Sequence, residues 1–441
     1  MKTLALIYAC LGKGGIERGA SFQIPMFIKA GWRVVVLTSF PSGEDDYGVS
    51  AGFVRVCIGL DGTEDRFRRL ADALRSHGAD ILVHHDAYRA DVLAGDLSVA
   101  REAGVKSVVF WHSVFSHFLL RRGRQTEAKS LFEACRAADA IIALSEADAA
   151  FFRMYGIPAQ AIPYADPDLA AGFVRREWPR RLVWTGRFVE LKRPLDAVKI
   201  FELVLARFPD AEFAMLGCGD KAVEAAVAEY VSSRPSLARA VRLAGFRRDV
   251  APFLEAAGVG LVTSRFEGYC HSLVEMKMAS LPVVAYEMPW LDTLAPGTGA
   301  VQVPQGDVAA AAAAVCRLFG DPQAIRREGL LARAAYEKIA ARDQISLYSD
   351  FFGRVMRGDT DGMLLADSRA ARAVMETFVL HADEAVRLAA EDARAAAEEE
   401  CARVFEAGCS YRIGRVLTWP LRKMRGLFCR GGKGVSREQC Q

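Results

Sequence analysis

The sequence predicts an α/β protein of two doubly wound, Rossmann-like domains facing one another across a cleft, followed by a helical extension. Three observations lead there. Short apolar runs alternate with helix-length amphipathic segments in the first part of the chain, the pattern stops at a proline-rich stretch, and it then restarts. A chain of 441 residues also exceeds what one ordinary core holds, so two domains plus an extension is the natural division.

In the first half the apolar runs are 3–9, 33–38, 81–84, 106–110 and 140–144, with helical stretches such as 19–30 and 65–76 between them. Short buried strands separated by helices make a parallel sheet covered on both faces. The opening Met1-Lys2-Thr3-Leu4-Ala5-Leu6-Ile7-Tyr8 superficially resembles a signal peptide. Its apolar run ends at Gly12-Lys13-Gly14-Gly15 without a convincing cleavage site, so it reads as a first buried strand. Pro163, Pro167 and Pro179, with Arg175-Arg176-Glu177 among them, mark a linker. Runs at 181–185, 212–216, 241–244, 259–263 and 283–286 then build the second sheet. The division that follows is 1–165, 166–343, a helix within 344–360 carrying Tyr348, Phe351 and Phe352, and an extension 361–441.

In the extension, 367–404 is rich in Ala, Glu and Arg and lacks glycine and proline, and it reads as an exposed helix or helical hairpin. The tail 411–430 sets Trp419 and aliphatics among Arg412, Arg415, Arg422, Lys423, Arg425 and Arg430, with Pro420 dividing it. It fits an interfacial segment on an anionic membrane surface, and a basic helix lying on the protein's own surface is the alternative. At 52% hydrophobic, 25% charged and a net charge of +3, the chain as a whole is not a nucleic-acid binder. No run reaches the roughly 18 apolar residues of a transmembrane helix. The ten cysteines form no CxxC and no zinc-spaced Cys/His cluster, which fits a reducing, cytoplasmic compartment.

The candidate chemistry gathers at strand ends, where a doubly wound sheet binds ligands. Gly14 and Gly15 follow the first strand and open a helix whose N-terminus suits a phosphate, although an ordinary glycine turn would look the same. Arg187 follows the strand 181–185, with Lys192 five residues on, and two fixed cations there can neutralise a leaving diphosphate. Gly217, Gly245 and Phe246 end two further strands and would wall a nucleotide pocket. Glu267 and Glu275 stand eight residues apart in Glu267-Gly268-Tyr269-Cys270-His271-Ser272-Leu273-Val274-Glu275, the first in a loop and the second about a turn into a helix. Two carboxylates so placed could clasp hydroxyls of a nucleotide and a sugar. His84-His85-Asp86 and Trp111-His112-Ser113 end strands of the first half, and His112 is the candidate to reach a transferring sugar.

Taken in order, Gly14-Gly15, Thr185-Gly186-Arg187 with Lys192, Gly217-Cys218-Gly219, Ala244-Gly245 and the E-x7-E run from Glu267 to Glu275 resemble glycosyltransferase family 4, the group 1 retaining transferases of GT-B fold. The likeness spans about residues 1 to 355. It implies a nucleotide-sugar donor in the second domain, an acceptor-side first domain, and a helix near 344–360 that returns to the first domain. It also implies roles. Arg187 and Lys192 would hold the donor diphosphate, Glu267 the sugar hydroxyls and Glu275 the ribose. Backbone at Gly15, Gly268 and from Cys270 through His271 and Ser272 to Leu273 would line sugar and phosphate. Cys270-His271 departs from the small residues, such as glycine, of many members. No cofactor and no metal are expected. The resemblance further suggests a glycan or lipid-linked acceptor in cell-envelope synthesis, and a cytoplasmic enzyme peripheral on the inner face of the membrane through 411–430. A nucleotide-sugar epimerase of similar architecture and an inactive membrane-recruiting scaffold are the competing readings. A dehydrogenase is disfavoured by the absence of GxGxxG.

Overall fold

A computed structural model describes residues 1–12, 14–44, 46–48, 52–59, 64–119, 125–163, 175, 177–365 and 368–407. Most of the linker, including Pro167 and Arg176, and the whole basic tail 411–430 lie outside the described residues.

The first half runs β1 (Thr3–Tyr8), α1 (Gly15–Lys29), β2 (Arg33–Thr38), β3 (Phe53–Cys57), α2 (Glu64–His77), β4 (Ile81–His84), α3 (Ala90–Glu102), β5 (Lys106–Trp111), α4 (Phe115–Leu119), α5 (Gln125–Cys135), β6 (Ala140–Ala143), α6 (Glu146–Met154) and β7 (Ala159–Ala161). The second runs β8 (Arg181–Thr185), α7 (Pro194–Arg207), β9 (Glu212–Leu216), α8 (Lys221–Ser232), α9 (Pro235–Ala240), β10 (Val241–Gly245), α10 (Ala251–Ala256), β11 (Val259–Val262), α11 (His271–Met278), β12 (Val283–Tyr286), β13 (Ala300–Val303), α12 (Val308–Gly320) and α13 (Pro322–Ala340). Two helices follow, α14 (Gln344–Arg357) and α15 (Ser368–Ala407).

Each half contributes one parallel sheet, ordered β3-β2-β1-β4-β5-β6-β7 and β10-β9-β8-β11-β12-β13. The first strand of the chain, β1, is central in its sheet and buried along its whole length. Strand order reverses between β1 and β4 in one sheet and between β8 and β11 in the other. At such a reversal neighbouring loops leave in opposite directions and open a crevice at the carboxyl ends of the strands. Gly14 and Gly15, His85, Arg187 and Glu267 follow these four strands.

Helix α14 buries Tyr348, Phe351, Phe352 and Val355, a spacing that puts one apolar stripe on one face. Asp343 caps it, accepting from Ser346 N at 3.0 Å, and Gly358 ends it at φ 71°. Its stripe meets the first half: Tyr348 stands edge-on to Phe27 at 5.1 Å, and Phe352 to Trp32 at 5.6 Å. Gln23 Nε2 donates to the Tyr348 hydroxyl at 2.8 Å in the buried interior.

The extension differs from an exposed helix or hairpin at its start. Helix α15 is continuous, and its first turns bury Ala370, Val374 and Thr377, with Phe378 edge-on to Phe115 at 5.1 Å. One compact unit comprises Met1–Val379, and the described residues from 380 to 407 belong to a second. The apolar spacing of Ala370, Val374 and Phe378 was visible, but the low hydrophobicity of the whole stretch masked it. Among the described residues no helix is long and apolar enough to cross a membrane.

Candidate functional site

The second sheet's side of the crevice is assembled by close backbone packing. Gly217 has φ +134°, and a Cβ there would lie 1.8 Å from Gly186 O, so only glycine lets the β8 and β9 loops touch. Gly217 N donates to Gly245 O at 2.9 Å and Phe188 N to Cys218 O at 3.1 Å, tying the ends of β8, β9 and β10 together. Phe246, just beyond, is 38% exposed on that rim. After Arg187 the chain makes a 3-10 turn, Glu190–Lys192, and Pro194 opens α7. Thr263 at the end of β11 reaches Lys192 O at 2.7 Å while accepting from Trp184 Nε1 at 3.0 Å, which fixes the turn carrying Lys192.

Lys192 forms an ion pair with Glu267, and both are largely buried. Ser264 Oγ donates to Glu267 Oε1 at 2.6 Å, and Trp290 Nε1 to the Glu267 carbonyl at 2.7 Å. The first acid of the pair is thus held at both its carboxylate and its backbone. Cys270 stands at φ 62° as the N-cap of α11, its thiol pushed up to about 12 by burial. That thiol is a small buried group, not a nucleophile. His271, Ser272 and Leu273 form the first turn of α11, and Glu275 lies in the next.

The first sheet's side is centred on an aromatic ladder with uncharged imidazoles, beside which stand Glu17, Arg18 and Asp86. Tyr8, His85, Phe110 and His112 stack in succession, with ring centroids 4.2, 4.8 and 4.5 Å apart. His85 Nδ1 and His112 Nε2 share a hydrogen bond of 2.9 Å. Burial, then the nearby His271, takes His112 down to about 3, and burial followed by His112 and His84 holds His85 well below the usual histidine range. Both imidazoles are therefore neutral at physiological pH. His84 has a different place: its Nε2 is 3.0 Å from Asp96 Oδ2 in a buried cluster where Arg66 Nη2 lies 2.7 Å from the same oxygen. That cluster is structural. Glu17 has its carboxyl raised by burial and by Asp86, against the lowering field of Arg187, so these groups share one neighbourhood.

The two sides touch. A Cβ on Gly268 would lie 1.9 Å from His112 O. The His117 and Phe266 rings meet at a tilt, centroids 4.0 Å apart, and Glu146 N donates to Asp292 Oδ2 at 3.2 Å. The α11 end abuts the α1 end: His271 bonds the Gly15 backbone, and Arg18 Nη2 is 2.8 Å from Glu275 Oε1. Lys192, Glu267, Gly268, His271, Glu275, His112 and Gly15 are therefore brought together across the crevice. Gly217, Gly245 and Phe246 sit along its second-sheet rim. Arg18, Ser264 and Trp290 belong to the same site without having been assigned a role from the sequence, and His85, known from the sequence only as a strand-end residue, joins them through His112. Arg18 lies only three residues beyond Gly15, but nothing local indicates its partner. A cavity of about 470 Å³ lies at the opposite edge of the second sheet, between Phe213, Arg242 and Phe253, away from all these groups. Among the described residues no cluster of three or more His, Cys, Asp or Glu is gathered to hold a metal ion.

Two family models match the chain: "Glycosyltransferase Family 4" over residues 13–164 and "Glycosyl transferases group 1" over 179–321. No curated protein sequence matches it. Among solved structures, S. aureus TarM superposes with a TM-score of 0.67 at 12% identity, over 80% of this chain and 99% of the other. Anabaena HepE in complex with UDP gives 0.63 at 17% over 81% and 100%. Sucrose-phosphate synthase from Thermosynechococcus elongatus gives 0.63 at 18%, again over 81% and 100%. At such identities these likenesses establish the fold.

Proposed function

Because the chain belongs to the group 1, family 4 glycosyltransferases and has their GT-B fold, we propose that it is a retaining transferase that moves a sugar from a nucleoside-diphosphate donor to a glycan or lipid-linked acceptor. The observation that carries this reading is the convergence, across one crevice, of Lys192 bonded to Glu267 with the α11 N-terminus and Glu275. HepE binds UDP and UDP-glucose, and a TarM variant was crystallised with UDP and an α-GlcNAc-glycerol. These support a uridine donor and a hydroxyl acceptor.

In this reading Arg187 and Lys192 take the diphosphate, whose negative charge grows as the C1–O bond breaks. Fixed cations in a partly dry site stabilise that charge without reorganising. Glu267, held by Ser264 and Trp290, orients sugar hydroxyls. Glu275 takes the ribose, and the first turn of α11, Cys270 to Leu273, offers backbone N–H groups to phosphate. His112 is neutral, so it serves as a hydrogen-bonding wall beside the sugar and not as a charged acid. The acceptor proton passes to the departing phosphate oxygen on the same face, which retains configuration and asks the protein for position more than for a strong base. Contact between the two rims excludes water and favours transfer over hydrolysis. No metal is required in this scheme. The acceptor's place in cell-envelope synthesis and attachment at the membrane through 411–430 belong to the same proposal.

The test is nucleotide release from UDP-, GDP- and dTDP-sugars, with and without an anionic membrane extract, in the presence of EDTA. Wild type is compared with Glu275→Ala and Arg187→Ala. Extract-dependent release lost in both variants is expected. Interconversion of donor sugars without lasting release would instead identify an epimerase, and no turnover with no nucleotide binding would leave a scaffold.

A further inference from the structure

We propose that Arg18, a residue of the first half, is a positioning residue for the donor: it reaches across the crevice and fixes the Glu275 carboxylate, so that the donor's ribose is read by both halves of the molecule. This rests on the reading of Glu275 as the ribose-binding acid.

The geometry is a two-point clasp between the helices that follow β1 and β11. On α11, His271 and Glu275 are four residues apart and share a face; on α1, Gly15 and Arg18 are three apart and do the same. His271 bonds the Gly15 backbone, with an imidazole carbon 3.5 Å from where a Cβ on residue 15 would stand. One turn further along, Arg18 Nη2 meets Glu275 Oε1 at 2.8 Å. Arg18 is 28% exposed and Glu275 14%. The pair is thus partly withdrawn from water, where a charge-assisted bond is worth more than on the surface. His271 stays neutral, its burial and the adjacent Arg18 taking it down to about 3, so the first point of the clasp does not compete for the carboxylate.

A glutamate has several rotatable bonds, whereas recognition of ribose hydroxyls needs the carboxylate held within roughly 0.5 Å. Within α11 the backbone alone cannot supply that. A guanidinium from another helix, itself located by the His271–Gly15 contact, can. Arg18 touches no reacting atom in this scheme and acts through Glu275.

The experiment measures calorimetric affinity of the full chain for whichever of UDP, GDP or ADP binds most tightly, and for its 2′,3′-dideoxy counterpart. Wild type, Arg18→Gln, Arg18→Lys and Glu275→Gln are compared, with thermal melting as the check on folding. Wild type should favour the ribose form by about tenfold or more, and Glu275→Gln should lose that preference. Arg18→Gln should weaken the ribose form by about tenfold while leaving the dideoxy form nearly unchanged, with Arg18→Lys recovering part of the loss. A purely structural role would weaken both nucleotides alike. Equal losses, or none, with the wild-type preference intact would overturn the role of Arg18 and leave Glu275 as the ribose acid. No wild-type preference, or no binding of any nucleotide, would overturn both readings together. If Arg18→Gln melts early, Arg18→Lys alone decides, by whether its loss tracks the ribose hydroxyls.

Discussion

At their centres, the two rims of the crevice are made of opposite materials. On the second sheet's rim the side chains are charged and bonded to one another, Lys192 to Glu267 and Ser264 to the same acid. On the first sheet's rim, Tyr8, His85, Phe110 and His112 stack as a ladder whose two imidazoles are neutral. The difference separates two tasks. Charge that appears on a leaving diphosphate calls for fixed charge nearby, and one rim supplies it. The other rim, apolar on its faces with a few polar edges, gives shape and dryness to the side where an acceptor must enter.

The largest effect should come from breaking the charged rim. Lys192→Met removes the cation bonded to Glu267 and leaves that acid largely buried without it. Nucleotide release should fall by roughly 10²–10³-fold, whereas His112→Gln, on the neutral rim, should cost roughly tenfold. Single-turnover measurements on both variants check this. A larger loss at His112 than at Lys192 would invert the division of labour.

Glycines on each side sharpen the same contrast. Gly217 is locked at φ +134° against Gly186 O inside one rim, so Gly217→Ala has no way to relax and should cost about 3 kcal/mol, seen as a lower melting temperature. Gly268 presses on the His112 carbonyl of the opposite rim. Its strain in Gly268→Ala can be relieved by parting the rims, so turnover should drop while melting stays near wild type. Melting and turnover measured on both variants distinguish a clash within one rim from one between them.

The strands that apolar runs reveal and those they do not divide in the same physical way. β1, β4, β8 and β11 lie inside their sheets, and each has an unbroken apolar centre, 4–7, 81–83, 182–184 and 259–262. β3, β7 and β13, which the runs miss, all lie at sheet edges. β3 has no fully buried residue and carries Arg55, β7 is only Ala159–Ala161, and β13 carries an exposed Gln302. An edge strand needs no second apolar face, so it leaves a weak trace; β10, an edge strand found at 241–244, is the exception. The site follows suit. Arg187, Lys192 and Glu267 could be singled out as candidates because they follow buried strands in an order that resembles a known family, and the structure pairs two of them, Lys192 with Glu267. Arg18 with Glu275, and His85 with His112, were not, because each bond joins elements that only the tertiary fold brings together.

The neutral rim makes a pH prediction whose sign follows from its burial. His112 titrates at about 3 in the folded chain, against an ordinary value of 6.5 when unfolded. Between these values the unfolded chain binds the extra proton, so stability is present above pH 6.5 and is lost as pH falls towards 3. Its share at pH 5 is of the order of 2 kcal/mol. Asp148, raised to about 7 by burial, acts in the opposite sense, stabilising below its ordinary 3.8 and losing that as pH rises through 7. Denaturant titrations at pH 7.5 and pH 5 should therefore show a smaller drop for His112→Gln than for wild type. An identical drop would mean that His112 is charged in the fold and that the rim is not neutral.

The smallest effect tests the join between the rims. Cys270 takes a left-handed conformation, φ 62°, to start α11 at the point where His271 meets Gly15. A side chain costs roughly 1–2 kcal/mol there, and glycine removes that cost. The same change gives up a buried thiol beside Ser272 Oγ, 3.4 Å away, and loosens the unfolded chain. These terms nearly cancel, so Cys270→Gly should shift stability by less than about 1 kcal/mol in either direction. Turnover should hardly change, because the backbone N–H groups of the α11 first turn keep their places. A fall in turnover at unchanged stability would mean that the thiol itself touches the donor, moving a polarisable group from the scaffold of the charged rim into its binding surface.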